Sequence, residues 1–355
     1  MRVLVAMSGG VDSSVAAARA VADGHEVVGA TMKLWGGESD SGCCSVADAD
    51  DARRVAAQIG ISHHVFNFSD DFDAQVVAPY VAEHALGRTP NPCIECNRHL
   101  KFDRFLVRAR SLGFDAVATG HHARVVEEGG CFRLRRGRDA AKDQSYVLSM
   151  LGQAQLAHCL FPVGVLTKDD VRSEARRLGL RTAAKPDSLG TCFLPSEQSR
   201  RELFARRAAL HPATVQDADG TPVGRVDALE LVTVGQRRGI CVLATGGKRR
   251  YVTAVDAVRR TVTLGGRDDL LVGELELTDL TWVAAAVDPG TPVLAQQSAH
   301  GVPVPAVLTT RTHDAGGKSA TVRFDQPVVR AAPGQTVALY DARDPDALCG
   351  AGIAR

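Results

Sequence analysis

The stretch that decides the fold of this chain is Val3-Leu4-Val5-Ala6-Met7-Ser8-Gly9-Gly10-Val11-Asp12-Ser13-Ser14. Its first residues form a short apolar run rich in valine, which is typical of a buried parallel strand. Gly9 and Gly10 then let the backbone turn sharply and lie close to a ligand. A helix is predicted to follow. A strand, a glycine turn and a helix start together direct backbone N–H groups and the positive helix end at an anion.

The glycine turn lacks the Gly-Lys-Ser/Thr sequence of the Walker phosphate loop. It resembles instead the SGGxDS loop of the N-type ATP pyrophosphatases, which bind the pyrophosphate of ATP and leave AMP on an acceptor oxygen. In that interpretation Asp12 helps to hold Mg²⁺. The alternative is an ordinary tight turn, but the serines, two glycines and Asp-Ser-Ser occur together at the first strand.

Length and composition limit the classes of protein to consider. A chain of 355 residues is expected to form two or three domains. No stretch approaches the roughly 20 apolar residues of a membrane span, and the chain opens on a strand rather than a leader, which predicts a cytoplasmic protein. Nine cysteines are too few, and odd in number, for a disulfide scaffold. A net charge of +1 does not by itself predict a nucleic-acid partner.

Apolar runs alternate with helical stretches over roughly the first 195 residues, which predicts a doubly wound parallel sheet. The predicted strands are residues 3–6, 27–30, 64–68 and 116–119, and the predicted helices are 14–23, 45–59, 74–86, 96–112 and 166–179. Beyond about residue 200, short runs rich in Val, Thr and Gly predict all-β structure. We therefore expect an ATP pyrophosphatase domain at 1–200, a small β-rich central domain at 201–275 and a C-terminal β-barrel at 276–355.

Two loops carry cysteines suited to chemistry. In Pro90-Asn91-Pro92-Cys93-Ile94-Glu95-Cys96, the prolines predict a stiff loop at Cys93, and Cys96 lies near the start of a helix, where a thiolate is favoured. A surface coincidence or half of a zinc site would also explain a single CxxC. Pro186 and Gly190 predict a second loop around Cys192. Thiols on two facing loops can exchange sulfur through a persulfide, whereas a buried, inert Cys192 is the plainer alternative.

Taken together, these motifs resemble the bacterial tRNA-specific 2-thiouridylase family nearly from end to end. Beyond the glycine loop, the resemblance rests on Arg88-Thr89-Pro90-Asn91-Pro92, Cys96-Asn97, Lys101-Phe102-Asp103, Ala118-Thr119-Gly120-His121, Lys142-Asp143-Gln144-Ser145-Tyr146, Asp187-Ser188, Cys192-Phe193, Thr233-Val234-Gly235-Gln236-Arg237-Arg238-Gly239 and Pro333-Gly334-Gln335. It implies an ATP-dependent transfer of sulfur to C2 of the wobble uridine. A persulfide on Cys192 delivers the sulfur, and Cys96 then forms a disulfide with Cys192.

The same resemblance implies the binding residues and partners. The implied ATP contacts are Ala6, Met7, Ser8, Gly9, Gly10, Val11, Asp12, Ser13, Met32 and Gly120. The implied contacts to the target base are Asn91, Pro92 and Cys93, and those to tRNA are His121, Lys142, Asp143, Gln144, Arg323, Phe324 and Gln335. The implied partners are tRNAs for Lys, Glu and Gln, and a sulfur donor such as a cysteine desulfurase or a sulfur relay protein.

This chain departs from the family pattern at Cys93, where many relatives have Asp. Cys93, Cys96 and Cys192 could instead hold three irons of a [4Fe–4S] cluster, with the fourth iron open to carry sulfur. Asp344-Pro345-Asp346 looks inserted before the last strand. Arginines at 133–138 and the cluster Lys248-Arg249-Arg250 either track a tRNA backbone or form solvated faces.

Two other functions stay open at this point. A synthetase or amidotransferase that adenylates a carboxylate would use the same glycine loop but would have no use for Cys96 and Cys192. A non-catalytic tRNA-binding protein would not need to keep Asp12. ATP consumption that depends on tRNA distinguishes these classes from a thiolase.

Overall fold

The structure is a computed structural model that describes residues 1–34, 45–187, 191–194, 196–242, 249–314 and 317–355. Gly190 of the predicted Cys192 loop and Lys248 of the basic cluster lie outside the described residues.

The first strand lies at the centre of a five-stranded parallel sheet. Its β1 is Arg2–Ala6, flanked by β2 (Glu26–Lys33) and β4 (Ala116–Ala118). The full order is β3-β2-β1-β4-β7, where β3 is Ser62–Asn67 and β7 is Cys159–Leu160; β5 (Ala123–Glu128) and β6 (Cys131–Arg136) form a separate hairpin. Leu4 packs into the core on one face of this sheet, and Val3 and Val5 pack into the core on the other. The predicted doubly wound sheet is confirmed.

Helices cover both faces of this sheet. They are α1 (Val11–Ala22), α2 (Val46–Ile59), α3 (Ser69–Phe72), α4 (Ala78–Ala85), α5 (Pro92–Glu95), α6 (Phe105–Ser111), α7 (Gln153–Leu156), α8 (Lys168–Arg177) and α9 (Glu197–Arg207). Turns of π-helix at Asp73–Val77 and Cys96–Arg104 join α3 to α4 and α5 to α6. Short 3₁₀ turns lie at Tyr146–Leu148, Arg181–Ala184, Leu229–Leu231 and Asp268–Leu270.

The second half of the chain is β-structure, as predicted. A five-stranded sheet has the order β10-β9-β8-β12-β11, and a closed barrel has the order β13-β16-β15-β14-β17-β18. The sheet strands are β8 (Ala213–Asp217), β9 (Pro222–Val226), β10 (Cys241–Val242), β11 (Tyr251–Asp256) and β12 (Thr261–Gly265). The barrel strands are β13 (Leu271–Trp282), β14 (Pro292–Gln296), β15 (Val304–Asp314), β16 (Gly317–Val329), β17 (Thr336–Asp341) and β18 (Leu348–Ala354).

The barrel packs on the N-terminal domain at residues 143–146. The Tyr146 hydroxyl donates to the Thr336 carbonyl over 2.8 Å, and the hydroxyls of Ser145 and Tyr340 lie 2.9 Å apart. The Arg136 guanidinium lies 3.7 Å from the centre of the Tyr340 ring. The interface combines these polar contacts with apolar packing of Tyr340 and Leu348 against the N-terminal core, so the barrel has a defined orientation on the N-terminal domain.

The two predicted domain boundaries lie inside elements, since residue 200 is in α9 and residue 275 is in β13. The division at these exact positions stays a prediction. Within the described residues, the helices are all too short or too polar to span a bilayer.

Candidate active site

The glycine loop joins β1 to α1 and is shaped by two serines. The backbone N–H of Ser8 donates to Ser13 Oγ over 3.2 Å, and the Ser14 hydroxyl donates to the Gly10 carbonyl over 2.7 Å. Gly9 has a φ of +73°, and a Cβ there would lie 2.3 Å from the Asp48 carbonyl oxygen. Only glycine therefore allows the start of α2 to approach the loop so closely.

Gly120 follows β4 and closes the loop from the other side. A Cβ at Gly120 would lie 2.5 Å from the backbone nitrogen of Ser13. The carboxyl ends of β1 and β4 thus meet at one edge of the sheet, which is where ligands bind in this class of fold. The arrangement brings together Gly120 and the loop residues, which were predicted as ATP contacts from distant parts of the sequence.

Asp12 accepts hydrogen bonds from two basic side chains. Lys168 Nζ lies 2.7 Å from each carboxylate oxygen, and His122 Nε2 lies 3.1 Å from Oδ1. Burial favours a higher pKa for Asp12, but these hydrogen bonds and the charge of Lys168 outweigh it and lower the pKa below its usual value. Asp12 is therefore ionised and already paired with a cation.

The Cys93 segment differs from the prediction of a stiff loop. Pro92 occupies the first position of helix α5, where its missing N–H costs nothing, so Cys93 lies within the first helical turn. The Asn91 side-chain oxygen caps this helix, accepting from the N–H groups of Cys93 over 3.1 Å and Ile94 over 3.4 Å. The predicted base contact at Asn91 is thus an N-cap in this structure.

The three candidate cysteines line the same cavity as the glycine loop. Its volume is about 420 Å³. Cys96 is buried, with 6% of its surface exposed, whereas Cys93 and Cys192 are half-buried, and all three are thiols. Other predicted site residues that line it are Ala6, Met7, Ser8, Gly10, Val11, Asp12, Ser13, Met32, Pro92, Gly120, His121, Lys142 and Gln144. The sequence prediction that facing segments carry Cys96 and Cys192 is consistent with this placement.

His121, Lys142 and Gln144 reach the cavity, but Asp143 has a structural role. His121 is buried, which lowers its pKa well below the usual value, and its Nδ1 lies 2.6 Å from Thr119 Oγ1. Gln144 Oε1 accepts from the backbone N–H of His122 over 2.9 Å. Asp143 instead accepts from Arg136 and from Gly137 and Ser145 of its own segment.

The barrel residues predicted to contact tRNA lie apart from this cavity. Successive residues of a strand point to opposite faces, so Arg323 is exposed on β16, whereas Phe324 packs in the barrel core with 6% of its surface exposed. Phe324 therefore offers no ring face on which a base could stack. The Gln335 side-chain amide donates to the carbonyl of Thr89, just before the Cys93 helix.

The two unusual surface features of the sequence pair with each other. Arg124 donates to Asp346 over 2.8 Å, Arg135 donates to Asp344 over 2.9 Å, and the Arg136 guanidinium donates to the Pro345 carbonyl. Within the basic run, Arg135 is thus paired with Asp344, and Arg136 is held at the Pro345 carbonyl. This pairing favours a structural role over tracking of a nucleic-acid backbone.

Three charged residues of the cavity were not assigned roles from sequence. Lys168 is the first residue of α8, and Lys185 and Asp187 precede the Cys192 segment. Thr167 was predicted as the cap of α8 and does accept from the Asp170 N–H, which places Lys168 beside the cavity. A lysine next to a cap is common, so nothing local to the sequence could distinguish Lys168 as a partner of Asp12.

Within the described residues, no group of three or more His, Cys, Asp or Glu side chains is arranged to hold a metal ion. The described residues therefore give no support for the [4Fe–4S] cluster predicted as the alternative at Cys93, Cys96 and Cys192.

Two family descriptions match the chain. "tRNA methyl transferase HUP domain" matches residues 1–196, and "Aminomethyltransferase beta-barrel domain" matches residues 272–354. Among solved structures, the chain resembles a 4-thiouridine synthetase in complex with RNA and bound ATP, with a TM-score of 0.37 and 16% identity over 58% of this chain and 50% of that one. That similarity is too low to support a functional conclusion.

Curated relatives match almost the whole chain. The tRNA-specific 2-thiouridylase MnmA of Kineococcus radiotolerans is 49% identical over 349 residues, which cover 96% of this chain and 95% of the relative. The MnmA proteins of Beutenbergia cavernae and Mycolicibacterium paratuberculosis are each 45% identical, covering 96% and 98% of this chain and 92% and 96% of their own lengths. With the fold and the cavity, these matches show that the chain belongs to the tRNA-specific 2-thiouridylase MnmA family.

Proposed function

We propose that this enzyme carries out ATP-dependent 2-thiolation of the wobble uridine of tRNA. The observation that carries the proposal is that the glycine loop, Cys96 and Cys192 line one cavity. A nucleotide-activating loop and two thiols in a single site are what an adenylation followed by a sulfur transfer requires.

The first step is adenylation of the base. The C2 oxygen of uridine attacks the α-phosphate of ATP, an O–P bond forms, and pyrophosphate leaves. The glycine loop contributes backbone N–H groups and serine hydroxyls that bind the phosphates. The uridine must leave its stack to reach a cavity inside the protein, as in other base-modifying enzymes.

The second step is sulfur transfer. The terminal sulfur of a Cys192 persulfide attacks C2 and forms a C–S bond. The Cys96 thiolate then attacks Cys192 Sγ, the persulfide S–S bond breaks, and a Cys96–Cys192 disulfide forms. The electron pair left on sulfur makes the C2=S bond and expels AMP. The sulfane sulfur is reduced and the two cysteines are oxidised, so a thiol reductant completes each turnover.

Mg²⁺ is the metal that this proposal requires with ATP. Asp12 is the residue that would help to hold it, together with phosphate oxygens, where it would neutralise charge on the leaving pyrophosphate. Lys168 donates to both oxygens of Asp12, so a metal ion at this carboxylate would share it with the Lys168 ammonium group. The carboxylate chemistry fits Mg²⁺.

The partners follow from the reaction. We propose tRNAs for Lys, Glu and Gln as substrates, a cysteine desulfurase or sulfur relay protein as the source of the persulfide, and the cytoplasm as the location. Lys142 and Gln144 at the rim of the cavity supply a phosphate contact and a base contact.

Separating the two half-reactions tests the proposal. Wild type, Cys96→Ser and Cys192→Ser are incubated with ATP, Mg²⁺, tRNA transcript, a desulfurase with cysteine, and dithiothreitol. We expect tRNA-dependent release of pyrophosphate from all three proteins, but 2-thiouridine only from wild type. Cys131→Ser, on the β5–β6 hairpin, is the matched control and should make product at the wild-type rate.

Two results would contradict the proposal. Release of pyrophosphate that is independent of tRNA would indicate a different acceptor, such as a carboxylate. Full thiolation by both serine variants would remove the cysteines from the mechanism.

A further inference from the structure

A cluster of charges joins the glycine loop to the segment that leads to Cys192. Lys168, only 9% exposed, donates to both oxygens of Asp12 and also lies 2.9 Å from Asp187 Oδ1. Asp12 belongs to the nucleotide loop, and Asp187 lies five residues before Cys192 in the sequence. One ammonium group therefore contacts both segments.

Three cationic side chains contact the carboxylate of Asp187. Besides Lys168, Lys142 Nζ lies 2.8 Å from its Oδ2 and Arg172 Nη2 lies 2.7 Å from its Oδ1. Burial acts to raise the pKa of Asp187, but hydrogen bonds from Lys142 and Lys168, together with their charges, lower it to about 2. Asp187 is thus a permanent anion, and removing its charge leaves three cations facing one another without the carboxylate that they share.

Arg172, one of the three cations that contact Asp187, also fixes the backbone around Asp187. Arg172 also donates to the carbonyls of Ala183 over 3.0 Å and Lys185 over 3.1 Å, so one guanidinium holds three points of this segment. Lys185 in turn lies 2.6 Å from Asp48 and 2.8 Å from Asp51 of α2. Ionic and hydrogen bonds therefore hold residues 183–187, while Phe193, the residue after Cys192, packs in the apolar core.

The cations of Asp187 face both substrates of the proposed reaction. Lys168 lies beside the glycine loop, where a triphosphate adds negative charge, and Lys142 lines the cavity at a position predicted to contact tRNA. Each polyanion that enters competes with Asp187 for one of its cations, because a phosphate attracts an ammonium group as strongly as a carboxylate does.

We propose that Asp187 is a positioning residue that couples occupation of the ATP and tRNA sites to the placement of Cys192. The inference rests on the proposed function and adds a link between its two half-reactions. Asp187 acts on the substrate side through Lys168 and Lys142, and its separation of only five residues from Cys192 ties the positions of the two residues together.

The test compares the two half-reactions in Asp187→Asn, which keeps the shape of the side chain and removes its charge. We expect tRNA-dependent release of pyrophosphate within about threefold of wild type, but at least tenfold fewer 2-thiouridines formed per pyrophosphate. Asp187→Glu, which restores the charge at a slightly different position, should recover part of this ratio. The matched control is Asp169→Asn, which changes an exposed acid on α8, the helix that begins with Lys168. This variant should keep the wild-type ratio.

A second readout follows the thiol itself. The alkylation rate of Cys192 by iodoacetamide, measured by mass spectrometry, should change when a non-hydrolysable ATP analogue and Mg²⁺ bind to wild type or Asp169→Asn, and should not change in Asp187→Asn. An unaltered product ratio together with a wild-type response of Cys192 would overturn the inference. If Asp187→Asn does not fold, Asp187→Glu is measured instead. An unaltered product ratio together with a wild-type response of Cys192 in Asp187→Glu would then overturn the inference.

Failure of the proposed function has a different signature. In that case wild type itself forms no 2-thiouridine, whatever the response of Cys192 to nucleotide.

Discussion

Arg98, two residues after Cys96, forms a two-pronged ion pair with Asp279 of the barrel strand β13. Asp279 has a φ of +48°, in the left-handed region, and lies at an irregularity of β13 between Thr278 and Thr281. A non-glycine residue in this conformation costs roughly 1 kcal/mol unless its side chain is short and polar. The barrel thus places a carboxylate against the helix that carries the proposed nucleophile.

The first prediction separates the charge of Asp279 from its backbone conformation. Asp279→Asn tolerates the same φ and loses only the ion pair, which is half-exposed and worth less than about 1 kcal/mol. Asp279→Ala also loses the tolerance for positive φ and should be less stable than Asp279→Asn by ~1 kcal/mol. Urea unfolding measures both values. Equal stabilities for the two variants would show that the backbone conformation carries no cost.

The second prediction concerns the joint between the barrel and the helix that begins after Asn91. The Thr89 N–H donates to the Pro333 carbonyl over 2.7 Å, and a Cβ at Gly334 (φ +90°) would lie 3.0 Å from the Thr89 nitrogen. Gly334→Ala should therefore displace Thr89 and lower the rate constant of thiolation by about tenfold or more, since small misplacements in a site are costly. The KM for ATP should not change, because Thr89 is not among the residues that line the cavity of the glycine loop.

Gly290→Ala is the matched control for this experiment. Gly290 lies in the same barrel with a φ of +89°, but nothing lies within 4 Å of its missing Cβ. Gly290→Ala therefore introduces the same backbone strain as Gly334→Ala but does not touch Thr89. If both variants lose activity equally, the effect is one of barrel stability, and Thr89 is not the point of transmission.

The fold could be predicted because its signals are local. Alternation of valine-rich runs with helices, and Ser8-Gly9-Gly10 after the first strand, depend on neighbours within a few residues. The helix predicted at 166–179 is found as α8, and its cap at Thr167 is a local signal of the same kind. In contrast, the partnership of Lys168 with Asp12 joins residues 156 positions apart, and sequence patterns carry no information about such a contact.

Two details were wrong for physical reasons. Two prolines near Cys93 favour a loop, but Pro92 is compatible with the first turn of a helix, and Asn91 caps that helix. Phe324 was implied as a tRNA contact beside Arg323, but successive residues of a strand point to opposite faces, and Phe324 lies on the core face of β16.

The third prediction uses that alternation. Arg323 is exposed, so Arg323→Gln should weaken tRNA binding and reduce the slope of log K against log salt concentration by about one, as for a single phosphate contact. Phe324→Leu should leave the slope unchanged and lower the free energy of unfolding by about 1 kcal/mol. Filter binding at several salt concentrations measures the slope. An unchanged slope in Arg323→Gln would remove this face of β16 from the tRNA-binding surface.

The fourth prediction concerns pH and a histidine away from the active site. His84 is 1% exposed, and burial, followed by the charge of Arg200, lowers its pKa to about 3. Between this value and the ordinary pKa of a histidine, the unfolded chain binds a proton that the folded chain excludes. Stability therefore falls with decreasing pH, by ~2 kcal/mol from pH 7 to pH 5 for this group alone.

The measurement is the free energy of unfolding at pH 7 and pH 5. His84→Gln should lose most of this difference, whereas the exposed His300→Gln should retain it. A pH dependence in His84→Gln equal to that of wild type would mean that His84 has the same pKa in the folded and the unfolded chain.

The fifth prediction addresses the cysteine that stands where many relatives have Asp. In the persulfide route only Cys96 and Cys192 exchange sulfur, so Cys93 is not needed for it. Cys93→Ser should keep at least a third of the wild-type thiolation rate under conditions in which Cys96→Ser and Cys192→Ser make no product. The protein is purified anaerobically and assayed for iron and acid-labile sulfide alongside activity. Wild type should thiolate tRNA without bound iron. The contrary result would be about four irons per chain, with an activity that is proportional to iron and is lost in Cys93→Ser. That result would make all three cysteines cluster ligands and overturn the disulfide mechanism.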